Sequence, residues 1–290
     1  MSPTKTNTTT ELLLLLLLAT LWGASYTFIR IGVATIPPIT LIAARTLIAG
    51  CVLFAIVLWR GLELPHDPAT WRRFLIQACL NSVIPFTLIA WAERTVDAGL
   101  ATILNSTTPI FTFLLAATLL RNERVTARKL FGIAVGLTGI CFIIGVDALN
   151  GFGQQLPAQL AVIAASICYG GAALFGRNFK GLDPMMPAVG SLLCGAVILI
   201  PISLVVDQPW TLAPSTASIA ALFALAILST ALAFSIYFRL IQTLGSIGTT
   251  AQAYLRVGEP LTPTAGIGLV CVIIGVMAMT MTPLRKAAQG

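Results

Sequence analysis

Apolar residues run through this chain in blocks about as long as a bilayer is thick, separated by short polar breaks. A spanning helix needs about 20 apolar residues. On that measure the pattern predicts spans at 12–33, 39–59, 74–93, 98–120 and 128–147. It predicts five more at 156–176, 184–206, 217–241, 245–257 and 264–282. The links are short, so neighbours in sequence are expected to be neighbours in space. Only 60–73 and 207–216 are long enough to be loops, and Leu64-Pro65-His66-Asp67-Pro68 and Pro209-Trp210 mark them as turns. The first apolar run, Leu12–Leu18, continues through Trp22 to Phe28 with no clear small-x-small cleavage site before it. It is therefore read as an uncleaved first span.

The pattern repeats. The stretch Asp97–Gly139 returns, shortened, as Gly245–Gly275. Glu123 stands three residues before Thr126, and Glu259 three before Thr262. Gly132 and Gly139 follow Glu123 by 9 and 16 residues, and Gly268 and Gly275 follow Glu259 by the same intervals. Leu21-Trp22-Gly23-Ala24 aligns with Cys168-Tyr169-Gly170-Gly171, and Phe86 aligns with Phe234 at an offset of 148. The chain divides into residues 1–150 and 151–290, each predicted to hold five spans. The second copy is 12 residues short between Gly245 and Glu259. Gly245–Val257 as a helix reaches only about 20 Å of the roughly 30 Å of hydrocarbon. Because the motif resumes in register, the reading is that about a dozen residues are missing at Val257–Gly258 rather than that the ninth span is broken.

Composition agrees with a polytopic membrane protein. Of 290 residues 57% are hydrophobic and 9% charged, with mean hydropathy +0.94. A soluble domain carries about 25% charged residues. The net charge of +7 is then a matter of topology rather than a nucleic-acid footprint. With ten spans and the N-terminus in the cytoplasm, thirteen of the 17 basic residues fall in cytoplasmic segments, leaving Arg30, Arg45, Arg94 and Arg256. The expected topology has both termini cytoplasmic. Five spans per half is odd, so the halves are expected to be inverted, an arrangement typical of secondary transporters with a site at the repeat interface. The six cysteines lie in apolar runs without metal-ligand spacing, and small apolar packing is their expected role. No metal and no cofactor is predicted.

Two copies of five spans, each with Trp/Tyr-Gly in its first span and a turn like Gly258-Glu259-Pro260-Leu261-Thr262 after its fourth, resemble the drug/metabolite transporter superfamily, and within it the EamA-type exporters. The first-half turn departs from the pattern, reading Asn122-Glu123-Arg124-Val125-Thr126. The resemblance implies an all-α integral membrane fold of ten helices around a central cavity, and export of small metabolites across a bacterial inner membrane. The chain is most similar to YddG-type exporters of aromatic and other amino acids and some toxic cations. By location and by the resemblance, Glu123 and Glu259 are expected to cap or position the helices that follow.

The candidate site residues each carry two readings. Trp22, Tyr26 and Arg30 recur at i, i+4, i+8 and share a helix face, with Tyr169 the repeat mate of Trp22. They line a cavity, or they anchor at the interface or fill the core. Polar residues cluster in four spans: Gln77, Asn81 and Ser82; Asn105, Ser106, Thr107 and Thr108 before Pro109; Ser229 and Thr230 with Phe234 and Tyr237; and Thr249, Gln252 and Arg256. They face water in a cavity, or they bond helix to helix. Arg45 either snorkels to the surface or faces the cavity. The substrate-binding set is taken as Trp22, Tyr26, Asn81, Ser82, Phe86, Asn105, Tyr169, Ser229, Phe234, Tyr237 and Gln252.

All ten acids lie at or outside span ends, so no mid-membrane carboxylate offers itself as a proton carrier. No span contains lysine beyond Lys129 at the very start of the fifth, which argues against phosphorylated cargo. No catalytic motif stands out, which argues against an enzyme. The expectation is a secondary or facilitative exporter of amino acids, aromatic ones included, and of amphipathic compounds, working by alternating access. The alternatives are export of other metabolites such as nucleobases or sugars, or a non-transporting scaffold. A small-molecule substrate and membrane lipid are the expected partners, and the chain is expected to act as a monomer or homodimer, with Gly132/Gly139 and Gly268/Gly275 offering close helix contacts.

Overall fold

A computed structural model describes residues 8–119, 126–144, 150 and 152–250, with single positions between 267 and 278. Among these residues the structure is helical and no strand occurs. The helices are α1 (Thr8–Gly32), α2 (Pro38–Trp59), α3 (Pro68–Ala92), α4 (Ala98–Asn105 and Thr108–Leu119), α5 (Ala127–Ile144), α6 (Leu156–Phe175) and α7 (Met185–Val206). The last, α8, comprises Thr216–Ala226, Ile227–Leu232 and Ala233–Thr250. Seven of them are long and apolar enough to cross a membrane, and α5 contributes a shorter apolar stretch, Leu130–Gly139.

Two expected boundaries move. The third span begins at Pro68, six residues early, because Asp67 caps it. The Asp67 carboxylate accepts from Thr70 Oγ1 at 2.9 Å and from the amides of Ala69 and Thr70. These bonds, the Thr70 hydroxyl first, hold its pKa below the ordinary carboxylate value. The eighth span does not stop at 241. The helix continues through Gly245 to Thr250 without the expected turn, since no proline interrupts it. The remainder of the ninth span, the 12-residue shortfall at Val257–Gly258, Glu123, Glu259 and Gln252 lie outside the described residues, and the tenth span is described only in part.

Three interruptions shape the helices. Pro85 has no N–H for the carbonyl of Asn81, and the chain widens there into a π turn, Cys79–Val83. Pro109 has none for the carbonyl of Asn105; α4 breaks at Ser106–Thr107, and Thr108 Oγ1 donates to that carbonyl at 2.7 Å. A second π turn, Ile227–Leu232, begins 148 residues after the first, and Thr230 Oγ1 donates there to the Leu225 carbonyl at 2.7 Å.

The two halves interlock. Helix α2 lies along α7, α1 along α8, and α6 against α3 and α4. Small residues permit these approaches. A Cβ on Gly170 of α6 would meet the Thr112 amide nitrogen at 2.9 Å, and one on Gly50 would meet Leu193 Cδ2 at 3.0 Å. A Cβ on Gly275 would meet the Gly132 carbonyl oxygen at 2.7 Å, so the glycines singled out in spans 5 and 10 face each other. Polar ties close both ends. At one end Asp207 accepts from the Thr40 amide (2.8 Å) and hydroxyl (2.9 Å), and Arg30 pairs with Asp97 at 3.6 Å. At the other, Arg239 and Thr243 hold Glu11, and Arg60 pairs with Asp183 at 3.7 Å. The outer surface is apolar, with Trp59 86% exposed at one end and Trp210 68% at the other, as lipid-facing helices with interfacial aromatics require.

Candidate functional site

The interruptions border a pocket between the two halves, with about 570 Å³ of space that is in part open to solvent. Trp22, Ser25, Tyr26 and Ile29 of α1 form one wall, at the helical spacing expected of a shared face. Arg45 of α2 and Asn81, Phe86 and Ile89 of α3 form a second. Asn105 and Thr108 at the α4 break, Tyr169 of α6 and Tyr237 of α8 complete it.

Ring contacts tie the aromatic lining together. Trp22 meets Tyr237 at 5.2 Å between centroids and Phe234 at 6.3 Å. Tyr169 meets Phe86 at 6.3 Å, and Phe86 meets Phe234 at 6.1 Å. Each such pair contributes about 0.5–1.5 kcal/mol beyond area burial. The indole of Trp22 is fixed by a bond from Nε1 to the Ser229 carbonyl at 3.1 Å. In an unbroken α-helix that carbonyl would be used by a residue four further on; in the π turn it serves two side chains, since Arg45 Nη2 also points to it at 3.5 Å. Asn105 donates from Nδ2 to the Tyr26 hydroxyl at 2.6 Å and accepts at Oδ1 from Ser166 at 3.0 Å.

Of the sequence-based set, Trp22, Tyr26, Asn81, Phe86, Asn105, Tyr169 and Tyr237 line the cavity. Three members do not. Ser229 stands behind Trp22, its hydroxyl donating to the Leu21 carbonyl at 2.7 Å. Phe234 is fully buried beneath the lining rings. Ser82 is buried on the side of α3 that approaches Gly195 of α7. Arg30, on the Trp22 face, lies beyond the cavity, bonded to the Glu93 carbonyl and paired with Asp97.

Sequence reasoning left Ser25, Ile29, Ile89 and Thr108 out of the set. Ser25 and Ile29 continue the Trp22–Tyr26 face at i+3 and i+7, which the spacing already contained. Arg45 does not snorkel: it is 2% exposed and lines the cavity, because Thr230, Ser229 and the Phe86 ring hold its guanidinium inside. Nor do span-end acids all reach water. Glu93, next after α3, is 0% exposed, and neither carboxylate oxygen has a hydrogen-bond partner; its electrostatic neighbours are Arg30 and Arg45.

A multi-span membrane protein with a pocket of aromatic and amide groups between its halves has the build of a transporter. The sequence model of the EamA-like transporter family matches residues 9–145 and again 156–281, and the chain belongs to that family. It is 27% identical over 274 residues to the uncharacterized inner membrane transporter YedA of Escherichia coli (strain K12), covering 90% of this chain and 87% of that protein. It is 23% identical over 278 residues to the uncharacterized transporter YoaV of Bacillus subtilis (strain 168), covering 92% and 95%. It is 26% identical over 291 residues to a probable terminal-alkyne amino-acid exporter of Streptantibioticus cattleyicolor, covering 95% of each. A solved crystal structure shares the fold, with TM-score 0.72 over 94% of this chain and 96% of that one at 20% identity. The family and these relatives are transporters, not enzymes.

Proposed function

We propose that the chain exports small amphipathic metabolites, amino acids and aromatic amino acids among them, by alternating access between two inverted five-helix repeats, with both termini in the cytoplasm. The observation that carries this reading is the cavity: five lining side chains are aromatic, and Asn81, Asn105, Ser25 and Thr108 supply uncharged polar groups. Such a lining suits a flat solute with a small polar head. The inverted repeat is supported by the reciprocal contacts of α1 with α8 and α6 with α3, and by the π turns 148 residues apart. The relative from Streptantibioticus named as an amino-acid exporter agrees in substrate class.

A cluster of rings bears on access. Phe74, Phe179 and Phe238 are buried, with centroids of Phe74 and Phe179 5.5 Å apart and of Phe179 and Phe238 6.1 Å apart. The cluster adjoins the cavity lining through Phe238, whose ring meets Tyr237 at 5.0 Å. In the proposed topology this seals the cytoplasmic side, and loading requires these rings to part.

The test is uptake of radiolabelled L-phenylalanine and L-alanine into proteoliposomes, with and without an imposed pH gradient. Uptake above that of protein-free liposomes is expected for both, faster for phenylalanine. Uptake of neither, by protein that is folded and reconstituted, would remove amino-acid export as the function.

A further inference from the structure

We propose that Arg45 anchors an ionised carboxylate, so that the cargo is an amphipathic monocarboxylate, α-amino acids included, while organic cations are rejected. This rests on the transport reading above and narrows it to one chemical class.

Arg45 is the only charged side chain lining the cavity among the described residues. Its guanidinium lies 3.7 Å from the centroid of Phe86. One edge is occupied, by Nε donating to Thr230 Oγ1 at 2.6 Å and Nη2 directed at the Ser229 carbonyl at 3.5 Å. These use two of the five N–H donors of a guanidinium. The end formed by Nη1 and the second Nη2 hydrogen remains for whatever fills the cavity.

No described carboxylate reaches Arg45 at ion-pair distance. Helices α2, α6 and α8 contain no acid at all. Glu11 of α1 is taken by Arg239 and Thr243 at the far end. Asp97, before α4, pairs with Arg30, and Asp183 and Asp207 flank α7 at its two ends. Among the acids Glu93 alone is an electrostatic neighbour of Arg45, after the Tyr169 and Tyr26 hydroxyls; it is shared with Arg30 and absent from the cavity wall.

A guanidinium removed from water without a direct counter-ion is costly, and a bound anion relieves that cost. The planar fork matches a carboxylate with two parallel hydrogen bonds. Asn81 adds a second waiting donor: it is 1% exposed, lines the cavity, and its Nδ2 has no hydrogen-bond partner. An ammonium group meets no described anion on the wall; ring faces attract a cation, but the charge of Arg45, seated on the Phe86 ring, opposes it. A single cation also fits a monoanion better than a phosphate dianion.

The experiment uses wild-type protein in proteoliposomes and unlabelled competitors of labelled L-phenylalanine uptake. The competitors share the phenyl group: 3-phenylpropionate has only the carboxylate, phenethylamine only the amine, and L-phenylalaninamide has the amine with a neutral amide. Half-inhibition by 3-phenylpropionate is expected within about threefold of unlabelled phenylalanine, and at least tenfold higher concentrations of the amide and the amine, as when a buried donor is left unpaired. Arg45→Lys should retain uptake with a raised KM, and Arg45→Gln should abolish the preference for carboxylate over amide. Equal competition by all four compounds, or an unchanged preference in folded Arg45→Gln protein, overturns the anchor and leaves the transport reading standing. Absence of any phenylalanine uptake overturns both. If Arg45→Gln does not fold, the competitor series on wild-type protein decides alone.

Discussion

Phe86 and Phe234 stand at equivalent places in the two halves of the chain, and their rings meet at 6.1 Å between centroids. Each also touches the aromatic residue that the other half contributes to the cavity, Phe86 meeting Tyr169 and Phe234 meeting Trp22, both at 6.3 Å. The four rings therefore form one connected group across the junction. In the alternating-access cycle proposed above, movement of one half against the other would disturb this group and with it the shape of the cavity.

Trp22→Ala should weaken transport of phenylalanine roughly two- to tenfold while changing that of alanine less, the range corresponding to one lost ring pair of about 0.5–1.5 kcal/mol. Trp22→Phe keeps a ring but loses the bond to the Ser229 carbonyl, and an intermediate effect is expected. KM and maximal rate of reconstituted protein are measured beside its thermal unfolding. If Trp22→Ala and Tyr169→Ala leave rates and preference unchanged in well-folded protein, the aromatic-cavity account is wrong.

Seven membrane-length helices and most of the lining among the described residues were legible in the sequence, because bilayer thickness and helical spacing act over short range. The face carrying Trp22 and Tyr26 could be read directly. What escaped reading depends on residues distant in sequence. Arg45 faces inward because Thr230, 185 residues away, accepts its Nε–H. Ser82 follows Asn81 in the sequence, yet the two lie on different sides of α3, one toward the cavity and the other toward α7. Glu93 is buried although it ends a span, since Arg30 and Arg45 converge near it from α1 and α2. The prolines gave a partial clue. Asn81 and Asn105 each stand four residues before one, where the backbone must deviate.

Two adjacent glycines should behave oppositely. A Cβ at Gly170 meets backbone of α4, Thr112 N at 2.9 Å and Phe111 C at 3.1 Å, which cannot yield without separating two helices. A Cβ at Gly171 meets only Leu80 Cδ2, at 3.9 Å. Gly170→Ala should therefore destabilise by about 1–3 kcal/mol, as overpacking does, while Gly171→Ala is neutral or mildly stabilising. Thermal unfolding in detergent separates them. Equal midpoints would show that α4 and α6 approach less closely than described.

Asp207 completes the start of α2 from a distance. Pro37 provides no side-chain cap, and the Asp207 carboxylate takes the Thr40 amide and hydroxyl in its place. Asp207→Ala should cost about 1 kcal/mol, as the loss of a helix cap does, and Asp207→Asn much less because an amide oxygen still accepts. Restoration of stability in a Pro37→Ser/Asp207→Ala double variant, read by the same unfolding assay, would confirm capping as the cause.

Orientation can be tested together with the number of crossings. His66 is exposed in the turn between α2 and α3, and Ala213 in the turn between α7 and α8. Five helices, α3 to α7, lie between them, an odd number, so the two turns belong on opposite sides if each helix crosses. Helix α5 is the weakest of the five, its described apolar stretch being only Leu130–Gly139. If α5 did not cross, both turns would fall on the same side. The charge pattern assigns the side: Arg60, Arg72 and Arg73 flank the first turn, whereas the second, 207–215, contains no basic residue. In protein with all six native cysteines replaced, Ala213→Cys should react with a membrane-impermeant maleimide on intact cells. His66→Cys should react only after permeabilisation. The reverse result would invert the topology, and external labelling at both positions would remove α5 from the set of crossing helices and with it the symmetry of two five-helix halves.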